Sequence, residues 1–257
     1  MDLAHSTASG LVDMHFHILP GVDDGPETLA DSLALAAAAL QDGTRAVVAT
    51  PHVRHDFVTD VLGLPDRLRE LQAALAAAGI PLTVRCGGEL GHDMVWRLRE
   101  HELEVIAQGP GHARWLLVET PFAPLGTDFR AATDELRERG YGVVLAHPER
   151  SADGALDGAA GLRRELAAGG AAQVNAMSVL GGHGPDAEAA AYELIGGGLV
   201  AAIGSDAHGS TRPPALSAAA ACLIDQGVSE SAARELLAVG PRRLLIGGVD
   251  ASLPLSA

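Results

Sequence analysis

Short apolar runs alternate with amphipathic stretches along most of the chain, and this alternation constrains the fold more than any other feature. The runs are nearly continuous in apolar residues, which is typical of strands buried on both faces of a parallel sheet. We predict seven strands, at Leu11–Met14, Arg45–Ala49, Leu82–Cys86, Trp115–Val118, Gly142–Leu145, Ala172–Val174 and Val200–Ile203. The predicted helices include Leu29–Gln41, Pro65–Ala78, Thr127–Arg139, Ala155–Ala168 and Ala187–Ile195. Seven strands in this order favour an α/β barrel over an open sheet, although periodicity alone does not separate the two.

The predicted elements fit one domain. The 257 residues are enough for an α/β barrel, and no long linker, charge block or repeat divides them. We predict a single domain over residues 1–257, with flexible ends at 1–10 and 249–257.

Three features of the sequence predict a cytoplasmic protein. No apolar run approaches the roughly 20 residues that a membrane helix needs, so we expect no membrane insertion. The segment Met1–Gly10 is polar and lacks the apolar core of a signal peptide. Cys86 and Cys222 make no disulfide framework, which suits a reducing compartment.

The charge pattern indicates which kinds of partner the protein can bind. The net charge is −15, and the 18 basic residues are all arginines, since the chain has no lysine. These arginines are scattered and form no basic stripe, so we expect no nucleic-acid partner. An anionic substrate is still compatible with the acidic excess, because bound cations can reverse the sign of the field within a site.

Histidines and carboxylates follow the predicted strands at their carboxyl ends. In a parallel barrel these ends meet on one face, so we expect the side chains to converge there. Residues two apart in an extended segment point to the same side and can bind one ion or two neighbouring ions. Such a concentration of ionisable groups is hard to explain structurally, because burying an unpaired charge is costly. The candidate metal ligands are His15, His17, Asp24, His52, Glu89, Glu119, His147, Asp206 and His208.

The ligand types indicate the class of metal. Imidazole together with carboxylate suits zinc, manganese or iron, whereas calcium prefers oxygen ligands throughout. A carboxylate such as Glu89 can bridge two ions because it has two oxygens. No role is assigned to the remaining histidines, of which His55 and His183 are candidates for outer contacts to the site.

The signatures of three other catalytic chemistries are absent from the sequence. A cysteine-based phosphatase needs an arginine six positions after the nucleophile, but His92 follows Cys86 at that distance and Val228 follows Cys222. A P-loop needs a lysine, and no G-x-S-x-G motif of a serine hydrolase is present.

With these residues in hand, the chain resembles the PHP (polymerase and histidinol phosphatase) superfamily. Within it, the chain is similar to the CpsB/CapC-type bacterial tyrosine phosphatases that regulate capsule and exopolysaccharide synthesis. The resemblance spans 12–247 and is carried by DMHFHILPGVDDGPETLADSLALA (13–36), TPH (50–52), HPER (147–150), QVNAMSVLG (173–181) and SDAHGSTRPP (205–214). It implies a distorted (β/α)7 TIM-like barrel with two or three divalent ions, manganese first and iron or zinc as alternatives.

The resemblance also implies how the ligands are shared. One ion would be bound by His15, His17, Glu89 and Asp206; a second by Glu89, Glu119 and His147; a third by Asp24, His52 and His208. The sequence departs from the family pattern at Gly209, where the family usually has asparagine, and at Gly240-Pro241 in place of an N-P pair.

Arg150 and Arg212 are the candidate catalytic residues. A guanidinium matches the geometry of a phosphoryl group, although a salt bridge that anchors a loop is the alternative for Arg212. We expect hydrolysis of phosphotyrosine on a protein, with the tail of a bacterial tyrosine kinase as the partner that the resemblance implies. A histidinol-phosphatase-type enzyme, a polymerase-associated nuclease and a non-catalytic metal-binding scaffold remain alternatives, and a homo-oligomer is open.

Overall fold

Parallel strands alternate with helices throughout residues 10–58, 60–152, 154 and 160–249, which are the residues that the computed structural model describes. The strands are β1 (Leu11–Phe16), β2 (Thr44–Ala49), β3 (His52–Val53), β4 (Thr83–Cys86), β5 (Glu89–Leu90), β6 (Trp115–Glu119), β7 (Gly142–Ala146), β8 (Ala171–Asn175) and β9 (Val200–Gly204). The α-helices are α1 (Leu29–Gln41), α2 (Leu64–Ala77), α3 (Glu100–Ile106), α4 (Thr127–Glu138), α5 (Ala160–Ala167), α6 (Ala176–Val179), α7 (Pro185–Gly196), α8 (Leu216–Asp225), α9 (Glu230–Arg234) and α10 (Gly240–Gly247). Three 3-10 turns (Val61–Gly63, His92–Met94 and Pro148–Arg150) and a π-helical turn (Glu235–Val239) complete the elements.

The strands form two parallel sheets that continue each other. The sheet orders are β1-β2-β4 and β3-β5-β6-β7-β8-β9. Only two residues separate β2 from β3, and one of them is Pro51, which has no N–H to donate to a ladder. Two glycines separate β4 from β5, and a Cβ at Gly88 would come within 2.9 Å of Ile106 and Val53.

The ring of strands returns to β1 at its carboxyl end. Phe16 pairs with Ala207 in a parallel bridge just beyond β9. The His17 N–H donates to the Ala207 carbonyl and the Asp206 N–H donates to the His15 carbonyl, both at 2.9 Å. Seven strand runs therefore follow one another around the molecule, which confirms the predicted distorted (β/α)7 barrel and locates its distortion at the two interrupted strands.

Apolar side chains fill the two sides of the strands separately. In β6, Trp115 and Leu117 belong to a cluster shared with β1, β2, β7, β8, β9 and α10, whereas Leu116 and Val118 belong to the larger cluster beneath the surrounding helices. The Trp115 indole N–H donates to the Leu244 carbonyl of α10 at 2.8 Å, which ties that helix to the inner cluster. The apolar side chains on the inner side of the strands thus pack towards the end that α10 covers. The opposite end, where the strands have their carboxyl termini, can therefore hold polar groups.

Local signals set most element boundaries. Thr28 begins α1 with a capping box: its hydroxyl accepts from the Asp31 N–H at 3.2 Å, and the Asp31 carboxylate accepts from the Thr28 N–H at 3.1 Å. The glycines that follow three predicted helices have the left-handed backbone expected there, with φ of 67° at Gly79, 86° at Gly140 and 87° at Gly169.

Two sequence predictions fall partly outside the described residues. The predicted helix Ala155–Ala168 is observed as α5, and residues 155–159 are not described. Of the predicted flexible ends, residues 1–9 and 250–257 are not described; Val249 is buried, and its N–H donates to the Ala113 carbonyl at 3.1 Å. Within the described ranges, no helix has the length and apolar character needed to cross a membrane.

Candidate metal centre

All nine predicted ligands lie together at the carboxyl ends of the strands. His15 and His17 come from the end of β1 and the residue after it, His52 from β3 and Glu89 from β5. The remaining ligands are Glu119 at the end of β6, His147 directly after β7, Asp206 and His208 after β9, and Asp24 in the loop that follows β1. Six separate chain segments therefore contribute to one cluster of imidazoles and carboxylates.

Glu89 lies at the centre of the cluster. Its Oε2 is 2.9 Å from His52 Nδ1, 3.2 Å from His15 Nε2 and 3.5 Å from His17 Nε2. Its Oε1 is 2.8 Å from His147 Nε2. The two oxygens thus face different imidazoles, as a carboxylate that bridges two ions requires.

Two aspartates extend the cluster on either side. Asp206 Oδ1 is 3.4 Å from Nε2 of both His15 and His17. Asp24 Oδ1 is 3.1 Å from His208 Nε2 and 3.4 Å from His52 Nε2. His17 and His208 stack with ring centroids 3.7 Å apart, which joins the part of the cluster around Asp206 to the part around Asp24.

The ligand atoms form four overlapping groups, within each of which they lie no more than 4.8 Å from one another. The groups are His15, His17 and Asp206; His15, Glu89 and His147; His52, Glu89 and Glu119; and His17, Asp24, His52 and His208. They divide the predicted sets differently: His147 groups with His15 and Glu89, Glu119 groups with His52 and Glu89, and His17 also joins the group around Asp24. The physical reason is the central position of these imidazoles, which lie between neighbouring groups.

Several of these atoms are buried without a hydrogen bond. His15 Nε2, His17 Nε2, His208 Nε2, His52 Nδ1 and Glu89 Oε2 have no hydrogen-bond partner of suitable geometry, although a carboxylate or imidazole atom lies 2.9–3.5 Å from each. Ligands of one ion with bonds of about 2.0–2.2 Å lie about 3–3.5 Å apart, which matches the spacing of these atoms. Unpaired buried polar atoms are otherwise costly, so the residues fit a set of divalent ions.

Outer hydrogen bonds orient the imidazoles. His15 Nδ1 is 2.8 Å from Gln173 Oε1, His17 Nδ1 is 2.7 Å from Asp23 Oδ2, and His208 Nδ1 is 2.8 Å from its neighbouring Asp206 carbonyl. These acceptors hold the proton on Nδ1 and turn Nε2 towards the cluster. Sequence reasoning assigned no role to Gln173, although it lies in the QVNAMSVLG stretch.

A second group that sequence reasoning missed is Asp13, which is fully buried beneath the cluster. Its Oδ1 accepts from the backbone N–H groups of His15 and Ser205, each at 3.1 Å. It thereby joins the end of β1 to the segment that carries Asp206. Its position in the DMHFH motif is the sequence signal that could have identified Asp13 as part of the site.

Backbone strain coincides with the cluster. Within the described residues, His147 (φ 39°) and Asp206 (φ 53°) are the non-glycine residues with positive φ. Such a conformation costs on the order of 1–3 kcal/mol and persists where surrounding contacts impose it. Both residues are candidate ligands, which is consistent with a functional constraint.

The charges of the cluster shift one another's protonation. Burial lowers the pKa of His15, but the charges of Glu89 and Asp206 outweigh burial and raise that pKa to about 9. Burial raises the pKa of Glu89, but the facing His15 and His147 hold it well below its ordinary value. For Glu119, burial and the charge of Glu89 both raise the pKa.

Both predicted arginines lie at the edge of the cluster. Arg150 Nη1 is 3.3 Å from Asp206 Oδ2, and Arg212 Nη2 is 2.7 Å from Asp24 Oδ2. Arg212 Nη1 is also 3.8 Å from Asp206. Two guanidinium groups thus converge on the same face as the candidate ligands. Each also forms a salt bridge, so the anchoring alternative remains compatible with the geometry.

A third arginine, Arg54, was not predicted. Its Nη1 donates to Glu119 Oε1 at 3.0 Å, and its other nitrogens donate to Asp56. Glu119 Oε2 is 4.0 Å from His52, so this arginine holds the carboxylate at the margin of the cluster.

The two histidines marked as candidates for outer contacts differ. His55 is exposed and pairs with Asp93 at 2.8 Å, away from the ligands. His183 lies close to Arg150, and its Nδ1 is 2.9 Å from Ser178 Oγ. Burial and the nearby Arg150 charge lower the pKa of His183 to about 4.

The sequence matches the model of a protein family over most of its length. The model of the capsular polysaccharide synthesis family CpsB/CapC covers residues 11–246. The chain belongs to the CpsB/CapC family. Among relatives, CapC of Staphylococcus aureus is 31% identical over 208 residues, which are 79% of each chain. The tyrosine-protein phosphatase YwqE of Bacillus subtilis is 29% identical over 205 residues, which are 77% of each chain. The predicted resemblance is confirmed.

Solved structures support the family and the fold. A crystal structure from work on YwqE of Bacillus subtilis and CpsB of Streptococcus pneumoniae, described as unique metal-dependent tyrosine phosphatases, matches with a TM-score of 0.78 and 26% identity. It covers 96% of this chain and 100% of that one. A phosphotriesterase homology protein from Escherichia coli has a TM-score of 0.61 at 14% identity and is similar in fold alone.

Proposed function

We propose that this CpsB/CapC family member is a metal-dependent protein-tyrosine phosphatase that hydrolyses phosphotyrosine in the cytoplasm. The observation that carries the proposal is the convergence of unpaired, buried imidazole and carboxylate atoms with two guanidinium groups at one face. The tyrosine-protein phosphatases among the relatives supply the substrate class.

The nine candidate ligands would hold two or three divalent ions, with Glu89 as the bridging carboxylate. Mixed imidazole and carboxylate ligands favour manganese, with iron or zinc as alternatives. Ions bound there supply Lewis-acid stabilisation of phosphoryl charge and produce a nucleophile from water near neutral pH.

The two arginines bind and orient the phosphate. A guanidinium offers paired N–H donors that match two phosphate oxygens, and its charge stabilises the charge that develops during phosphoryl transfer. Arg150 and Arg212 approach the ligands from different segments, the Pro148–Arg150 turn and the loop before α8, so they can contact different oxygens.

The leaving group favours tyrosine over serine. A tyrosine phenolate has an ordinary pKa of about 10 and leaves far more easily than an alkoxide. A dedicated general acid is therefore unnecessary, and none is assigned. We propose the tyrosine-bearing tail of a bacterial kinase in capsule or exopolysaccharide synthesis as the partner, in keeping with the family's description.

Cysteine chemistry is disfavoured by the surroundings of Cys86. Burial raises the pKa of its thiol to about 11, so the nucleophilic thiolate is scarce at neutral pH. Metal-based hydrolysis does not require this thiolate.

The experiment compares kcat/KM for matched phosphotyrosine and phosphoserine peptides and for histidinol phosphate, in protein whose metal content is measured. We expect the phosphotyrosine peptide to be preferred. If histidinol phosphate is preferred by more than tenfold, the small-molecule alternative replaces the proposal. If metal-loaded protein hydrolyses none of these esters, it is the non-catalytic scaffold.

A further inference from the structure

A cavity of about 680 Å³ adjoins the cluster of candidate ligands. Phe122, the segment from Glu149 to Ala152 and helix α7 line it. Arg150 connects the cavity with the cluster of candidate ligands, because its side chain lines the cavity while its Nη1 lies 3.3 Å from Asp206. The function proposed above assigns no role to this cavity.

Glu149 contributes a buried carboxylate to the cavity wall. The residue is 2% exposed, and its Oε1 accepts from the Asn175 N–H at 2.8 Å and from the Ser178 hydroxyl at 2.7 Å. Its Oε2 has no hydrogen-bond partner among the residues that the structure describes. A buried oxygen without a donor is costly, so a donor that enters the cavity would be bound favourably.

His183 adds a second acceptor through its hydrogen bond to Ser178. The single Ser178 hydroxyl proton is used by Glu149, so Ser178 Oγ accepts from His183 Nδ1. The lowered pKa of His183 keeps the ring neutral at pH 7, and its proton on Nδ1 leaves Nε2 as an acceptor. His183 lines the same cavity, which therefore presents acceptors from two different chain segments.

Carboxylates of α7 give the cavity a negative charge. Asp186, in the first turn of α7, is exposed and lines the cavity. It makes no hydrogen bond or ion pair with any described residue. Glu193 lines the wall further along the helix. Among the described residues that line the cavity, Arg150 carries the one guanidinium, which already faces Asp206 and lies 4.9 Å over the Phe122 ring.

We propose that this cavity binds the side chain of a lysine or arginine that lies close to the phosphotyrosine in the protein substrate. Such a side chain supplies N–H donors and no acceptor, which complements Glu149, His183 and Asp186. The inference rests on the proposed function, because the peptide must place its phosphate at the metal centre while a neighbouring residue reaches the cavity. A flanking glutamate would instead meet like charge.

The experiment measures kcat/KM for matched phosphotyrosine peptides that carry a single arginine, glutamine or glutamate at each of the three positions on either side. We expect arginine at one or two positions to exceed glutamine about tenfold, mainly through KM, the scale of a hydrogen bond to a charged group. The preference should shrink as salt is added.

Paired variants of α7 locate the effect. Asp186→Asn should reduce the arginine-to-glutamine ratio to about threefold or less, and this ratio is insensitive to a general loss of activity. Glu188→Gln removes the same charge from the same helix outside the cavity and should keep the full ratio. p-Nitrophenyl phosphate, too small to span both places, reports on the metal centre alone.

The outcomes separate this inference from the proposed function. Hydrolysis of all phosphotyrosine peptides without an arginine preference overturns the cavity assignment and leaves the phosphatase in place. A preference for an apolar flanking residue also overturns it, because the Phe122 ring would then define the subsite. Failure to hydrolyse any phosphotyrosine peptide or p-nitrophenyl phosphate rejects the proposed function, and this inference falls with it.

Discussion

His15 Nε2 lies 3.2 Å from Glu89 Oε2, both atoms are fully buried, and neither has a hydrogen-bond partner. With the proton of the neutral His15 ring on Nδ1, Nε2 presents a lone pair, so two acceptor atoms face each other with no donor between them. Here their partners on the other side, Gln173 for His15 and His147 for Glu89, fix different orientations. The pair is therefore arranged to share a third species between them, and a divalent ion fits that requirement.

Replacement of the central carboxylate tests this arrangement. Glu89→Gln keeps the shape but removes the charge that faces four imidazoles, so we expect loss of at least one ion per chain. kcat/KM should fall by about 10³, since electrostatic stabilisation of the transition state is the largest catalytic contribution in such sites. Metal analysis and steady-state kinetics measure both. Glu138→Gln, an exposed change on α4, is the matched control; equal metal content in the two variants would contradict the bridging role.

Gln173 should act through His15 and not on the substrate. Removing the acceptor at His15 Nδ1 frees the ring, and loss of such an outer partner costs about 10–100-fold in metal affinity. We expect this loss in Gln173→Ala and recovery of most of it in Gln173→Glu, which retains an acceptor oxygen. Titration of metal-free protein with Mn²⁺ gives both affinities. Equal affinities in the wild type and Gln173→Ala would assign Gln173 to packing alone.

The arginines should affect turnover without affecting metal content. We expect Arg150→Ala and Arg212→Ala each to lower kcat/KM by roughly 10²–10³, the scale for one donor to transition-state charge. The ions per chain should stay as in the wild type, because neither guanidinium is a ligand. Wild-type kinetics in both variants would mean that the salt bridges to Asp206 and Asp24 only anchor loops.

Metal binding should release protons. The pKa of His15 rises from 6.5 to about 9 in the metal-free protein, so its ring is protonated at pH 7 and must lose that proton to bind an ion. The apparent metal affinity should therefore rise with pH between roughly 6.5 and 9, by about tenfold per unit for each proton displaced. Calorimetry in two buffers of different ionisation enthalpy counts the protons. A pH-independent affinity over this range would contradict the displacement of a proton from His15.

The sequence was sufficient for the barrel and for the nine converging residues because both follow from one rule. The carboxyl ends of parallel strands lie on one face of a barrel. Glu119 and His147 belong to different motifs, but both directly follow predicted strands, so both were expected on that face. Elements with weak local signals were not predicted: β3 and β5 have two residues each and are visible only from their pairing.

Contacts between distant segments lay beyond the sequence. Nothing local in Gln173 indicates that its oxygen meets His15, 158 positions away. The cavity between Glu149 and Asp186 likewise depends on how α7 packs against the Pro148–Arg150 turn. The left-handed backbone of His147 and Asp206 is set by tertiary contacts and not by residue type, since neither is glycine.

Hydrolysis of phosphotyrosine by this protein should require the bound ions and no thiol. Protein stripped with a chelator is titrated with Mn²⁺ while the hydrolysis of a phosphotyrosine peptide is followed, before and after alkylation of the thiols. We expect no activity without metal, recovery that saturates at two or three equivalents per chain, and no effect of alkylation. Full activity in metal-free protein, or loss of activity when Cys86 is alkylated and the fold is intact, would contradict metal-based hydrolysis.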